Sequence, residues 1–149
     1  MNNFSRLSRS LTRLLLVPPT FIFAMIALRT IVNPAQAAAA VGISLDRPLA
    51  YTILRVGFAG FPLGCSLFLL ACLFSSRRIV TGLSFVAIMA AVLLVVRTFG
   101  AAVDGTLEES MGLIIAEVVL LALMVVGLVV ETRHRRHDDE RAATLLSEA

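Results

Sequence analysis

Arg29, Arg55, Arg97 and Glu117 stand within or at the ends of long apolar runs. A charge there costs several kcal/mol unless it is paired, hydrated or lifted to water. A guanidinium and a carboxylate in that setting can form an internal ion pair that fixes helix register. They can also line a polar pocket that holds a ligand or passes a proton. Arg97 and Glu117 are the first candidates to meet, because only a short connection with an Asp104-Gly105 turn signal separates their runs. Arg55 is the second possible partner. At ~1.5 Å of helical rise per residue, Arg55 and Arg97 lie about 6 and about 5 Å below the nearer boundary of their runs, and Glu117 about 9 Å. Arg29 falls toward the same end of its run, so each run contributes one charge to a single outer layer. An arginine can snorkel on its long stem, whereas the deeper, shorter Glu117 has no such route. Thr106, Ser110 and Glu117 share a face if the fourth helix starts early. Asp104 would align with Arg97 only if the third helix passed Gly100, the expected helix end. Register pair and pocket both remain open on these residues.

Other chemistries find less support. Cys65 and Cys72 are seven residues apart, neither a C-x-x-C redox pair nor a zinc spacing, and are expected as buried thiols. The missing C-x-x-C also excludes the four-helix, quinone-linked thiol oxidases. His134 and His137 lie one turn apart, but the arginines between them repel cations, so no metal and no cofactor is expected. A membrane isomerase would need clustered acids and a base, and the spans offer one carboxylate and no histidine.

The elements that must position these residues follow from composition. Of 149 residues, 58% are hydrophobic and 15% charged, with a mean hydropathy of +0.92. A soluble core needs apolar stripes rather than apolar runs, so the chain belongs in a lipid bilayer. A helix needs about 20 apolar residues to cross the hydrocarbon. Four runs qualify: residues 14–32, 51–74, 79–100 and 111–130. Backbone groups in lipid must be satisfied within each segment, so these runs are helices. The expected fold is all-α, a polytopic membrane protein built as an antiparallel bundle of four transmembrane helices over residues 14–130. A basic segment, 1–13, precedes it and a mixed-charge tail, 131–149, follows.

The sequence pI near 9.7 does not imply nucleic acid, because the arginines flank the runs. Arg6, Arg9, Arg13, Arg77, Arg78, Arg133, Arg135, Arg136 and Arg141 fall on one side of a four-span topology, and the loops of the other side carry Arg47. Positive residues stay cytoplasmic, which places both termini inside a bacterial inner membrane. A rival reading takes the first run and "NPAQAAAA", with Ala35 and Ala37 in A-x-A spacing, as a cleavable signal peptide. Arg29 between the run and the cut argues against it.

Proline and glycine set the local expectations. Pro18 and Pro19 should kink or begin the first helix, and Pro62 should bend the second. Gly57, Gly60 and Gly64, with Ala71, form one stripe that includes a G-x-x-x-G step. Small residues let helices approach in lipid, so the stripe packs within the bundle or against a second copy or another membrane protein. Gly82, Val86 and Ala90 share a face with Arg97, which should point inward.

"NPAQ" after the first span, "RVGFAGFPLG" in the second, "VRTFGAAVDG" ending the third and "AE" in the fourth resemble a family of small bacterial integral membrane proteins. That family is defined by a domain of unknown function with four predicted helices. The resemblance runs from Leu14 to Val130, and order and spacing carry it rather than one motif. By similarity, Arg55, Gly60, Arg97, Gly100, Asp104, Gly105 and Glu117 match its recurring pattern. It implies four retained spans and supplies no activity. The functional expectation is therefore a non-enzymatic accessory or binding protein with an outer Arg/Glu layer. The alternative is a small proton-coupled transporter or lipophilic-ligand carrier using Glu117.

Overall fold

In the computed structural model the backbone is described over residues 3–147 and the side chains over residues 12–136. The side chains of Arg6, Arg9, His137 and Arg141 thus lie outside the described residues. Among the described residues every regular element is helical: α1 (Asn3–Val32), α2 (Pro34–Ala39), α3 (Pro48–Arg55), a wide turn at Val56–Gly60, α4 (Phe61–Leu73), a tight turn at Ser76–Arg78, α5 (Ile79–Asp104) and α6 (Leu107–Ser147). Four stretches are long and apolar enough to cross a membrane: Thr12–Val32, Pro48–Leu73, Ser76–Asp104 and Leu107–Arg136. Large aliphatic and aromatic side chains such as Phe21, Ile53, Phe61, Val95, Phe99 and Val126 are exposed along them. An apolar outer surface over four such helices belongs against acyl chains, so this is a multi-pass membrane protein.

The chain divides into two compact units. One comprises residues 1–15 with residues 77–149, and the other Leu16–Ser76.

In the first unit α5 and α6 pack along each other. Leu83 lies beside Gly127, the Arg97 side chain meets Glu117, and the Arg77 carbonyl meets Arg135. The α6 number falls as the α5 number rises, so the two helices form a hairpin. Its seam repeats at three- and four-residue steps: Ile79, Leu83, Val86, Ala90 and Ala101 are buried on α5, and Met124, Gly127 and Glu131 on α6. Gly127 lets α1 approach, since a Cβ there would sit 2.9 Å from Leu15 Cδ1 and 3.3 Å from Leu83 Cδ2.

The hairpin turn lies beyond the expected helix end. α5 passes Gly100 and stops at Gly105, whose φ of 70° is left-handed. The Ala101 carbonyl accepts from both Gly105 and Thr106 N–H. A mid-helix glycine costs only about 1 kcal/mol, whereas a left-handed residue ends the helix outright. α6 begins with Glu108 and Glu109 in its first turn, where acids complement the helix dipole. It therefore starts four residues before the expected Met111 and runs unbroken into the segment read as a tail.

The second unit departs from expectation at its prolines. α1 does not begin at Pro18 and Pro19; it runs through both. The pair removes two N–H donors, but a helix in lipid has no better partners for its remaining groups, so it continues. Just past the prolines the Thr20 hydroxyl donates to the Leu16 carbonyl at 2.7 Å, and the Ser66 hydroxyl donates to the Thr20 carbonyl at 3.0 Å. Before Pro62 the helix widens by one residue, and Phe61 N–H reaches back to the Val56 carbonyl. Proline cannot donate to the carbonyl four residues earlier and its ring crowds it; a wide turn relieves both. The buried face of α4 is Pro62, Cys65, Ser66, Leu69 and Cys72.

Candidate functional site

The seam of the hairpin carries its polar groups on the buried side. Arg97 Nε donates to Glu117 Oε1 at 2.9 Å. Counted from Gly105, Arg97 lies about 12 Å along its helix and Glu117 about 18 Å. The offset of roughly 6 Å closes because helical side chains tilt toward their own N-terminus. Arg97 leans away from the turn and Glu117 leans toward it. The guanidinium thus reaches toward the carboxylate rather than snorkelling to the loop end. Glu117 keeps 13% of its side chain exposed and Arg97 33%.

The pair is half-satisfied. One edge contact joins Nε to Oε1, while Oε2 is buried and has no hydrogen-bond partner among the described residues. A buried acceptor left alone costs about 1–3 kcal/mol, and more when charged. Thr106, just before α6, and Ser110, in its first turn, are half-buried, and the Ser110 N–H donates to the Thr106 carbonyl at 3.0 Å.

The remaining candidates fall elsewhere. Asp104 is exposed at the last turn of α5, two turns beyond Arg97, and does not join the pair. Arg55 and Arg29 are exposed in the second unit. Gly57, Gly60 and Gly64 are exposed, and a Cβ on Gly57 or Gly64 would meet nothing within 4 Å. The stripe therefore faces away from the buried side of α4. Cys65 and Cys72 are buried and joined in no disulfide. Among the described residues no group of three His, Cys, Asp or Glu side chains is placed to hold a metal.

A second polar cluster escaped the sequence reading. Glu131 is 3% exposed. Its Oε2 accepts from the Thr12 hydroxyl at 3.2 Å and its Oε1 from Arg135 Nε at 3.2 Å. Arg135 Nη1 also donates to the Arg77 carbonyl at 3.3 Å. The signal was present: Glu131 follows Glu117 by two heptads, with Arg135 one turn on. The sequence places it at the start of the mixed-charge tail, 131–149, rather than in the bundle.

A family model described as a domain of unknown function, DUF4345, matches residues 11–128. The chain belongs to that family. No curated protein and no solved structure matches the chain. The family segment contains both Arg97 and Glu117 and ends just before Glu131, so the half-satisfied pair lies within the shared domain, whereas the second cluster straddles its end: Thr12 and Arg77 lie inside and Glu131 and Arg135 beyond.

Proposed function

We propose that this membrane protein is a non-enzymatic accessory or binding protein of the bacterial inner membrane, with both termini cytoplasmic. The observation that carries the reading is the orphaned Oε2 of Glu117. A pair evolved only to hold register would be expected to engage both carboxylate oxygens, because a fork-to-fork contact is the stronger arrangement. A pair with one edge spent and one acceptor left over is suited to a third group. Intramembrane ionisable residues are functional candidates by default. Orientation is supported by charge. The turn end of the hairpin holds Asp104, Glu108, Glu109 and Glu117 against Arg97. The opposite end holds Arg77, Arg78, Arg133, Arg135 and Arg136 against Glu131. The exposed stripe of Gly57, Gly60 and Gly64 suits a second copy or another membrane protein.

The half-buried hydroxyls of Thr106 and Ser110 favour one alternative, a small proton-coupled transporter or lipophilic-ligand carrier that uses Glu117. Glu117→Gln separates the readings. The accessory or binding role predicts a folded variant and no Glu117-dependent acidification of vesicles loaded with a pH-sensitive dye. Acid flux in the parent chain that disappears in the variant would establish the transporter instead. Collapse of the variant's fold would return the pair to a register device.

A further inference from the structure

The geometry points to a binding surface for anionic phospholipid headgroups at the arginine-rich end of the α5–α6 hairpin. This surface is independent of the Arg97–Glu117 reading and lies at the opposite end of the same helices. Around it the described side chains include Arg13, Arg77, Arg78, Arg133, Arg135 and Arg136, against the single carboxylate of Glu131. Glu131 is committed inward, to Thr12 and Arg135. Arg135 in turn holds the Arg77 carbonyl. These three contacts tie α1, the turn before α5 and α6 together, so Arg77 and Arg78 are displayed on a fixed frame. Both are exposed, and Arg78 makes no side-chain capping bond to α5.

Position selects a lipid over a soluble polyanion. Two residues, Glu131 and Thr132, separate the arginines of α6 from the uninterrupted apolar run 118–130, in which Val126, Val129 and Val130 are exposed. A nucleic acid or acidic peptide would meet the charge and leave this apolar surface unused. A phospholipid places phosphate at the arginines and acyl chain along the valines. Basic groups at the headgroup level gain roughly fivefold in affinity for anionic lipid per residue.

The test uses the full chain in uncharged detergent, incubated with an equal mixture of phosphatidylglycerol and phosphatidylcholine, with retained lipid counted by native mass spectrometry. The parent chain should retain phosphatidylglycerol preferentially, and 0.5 M salt should weaken that preference. R77Q/R78Q should lower the preference by about twenty-five-fold, two arginines at about fivefold each. R29Q/R47Q removes the same charge from exposed arginines of the other unit and should leave it unchanged. Equal loss in both double variants would reduce the effect to net charge and overturn the proposal. So would a parent chain without preference. A preference that emerges only in D138N/D139N/E140Q would make the chain's own acidic run the occupant and overturn it too. If R77Q/R78Q does not fold, the single R78Q variant, with a fivefold loss expected, decides the matter.

Discussion

Removing either member of the Arg97–Glu117 pair should have unequal consequences. Arg97→Gln leaves a carboxylate that is 13% exposed without its counter-ion, and both oxygens are then unpartnered. Breaking a buried pair in this way costs about 3–5 kcal/mol, and the partial exposure of Arg97 places the value near the lower end. Glu117→Gln is gentler. The amide oxygen can still accept from Arg97 Nε, and a guanidinium that is 33% exposed can turn toward water on its long stem. The variant also removes the charge from the orphaned oxygen, so its cost should be about 1 kcal/mol, the difference between a charged and a neutral hydrogen bond. The double variant removes the stranded carboxylate and should cost no more than about 2 kcal/mol, which makes the two changes non-additive. At about 2–4 °C per kcal/mol for a chain of this size, Arg97→Gln should lower the melting temperature by about 6–12 °C and Glu117→Gln by about 2–4 °C. Thermal unfolding in one detergent, followed by circular dichroism, reads all three. Glu117→Gln costing as much as Arg97→Gln, or a double variant equal to the sum of the singles, would refute the half-satisfied geometry.

Other positions give equally direct outcomes. Gly127→Leu should destabilise the chain by about 1–3 kcal/mol through overpacking against Leu15 and Leu83. Gly57→Ala and Gly64→Ala meet open space and should hold or raise the thermal stability of the monomer; any dimer formed through the stripe would weaken by cross-linking or analytical ultracentrifugation. Gly105→Ala should cost about 1–2 kcal/mol in thermal unfolding, because φ there is +70°. A cysteine placed at Ser75 should be shielded from an impermeant thiol reagent added outside intact cells, and one at Asp104 should react; the reverse pattern would invert the proposed orientation.

The four spans were legible because an uninterrupted apolar run has one physical solution in lipid, and the run lengths supplied it. The Arg97–Glu117 contact was legible for a related reason: a short connection forces neighbouring helices together, and each run held one charge near that connection. Helix ends were less legible. Gly100 offered a helix end and the Asp104-Gly105 pair a turn, and the left-handed backbone at Gly105 shows that the helix stops only at the turn. Pro62 marked a disturbance without its form, since a missing donor can yield a kink or a wide turn according to what the neighbouring carbonyls find. The continuity of α1 through Pro18 and Pro19 had the same origin. Glu131 was hidden because local charge density suggested water, while its burial depends on Thr12, far away in the chain.

The two seam acids of α6, Glu131 buried and Glu117 partly so, also bear on why this hairpin has a single register. Between Glu117 and Glu131 every residue is apolar, and valine, leucine and alanine side chains on a lipid-embedded seam distinguish poorly between one alignment and another. A slip of α6 by one turn, about 5.4 Å, would keep most apolar contacts in kind. It would also carry Glu117 away from Arg97, and Glu131 with Arg135 away from Thr12 and the Arg77 carbonyl. Two carboxylates stranded on the seam without their partners cost more than the apolar contacts can regain. The acids sit two heptads apart on one face, roughly 21 Å along the helix, so they pin both ends of the same seam. Satisfying the register at the arginine-rich end is enough to hold it, because Glu131 has partners on both oxygens. That leaves Glu117 free to be incompletely paired, which is the condition a recognition point in the bilayer requires.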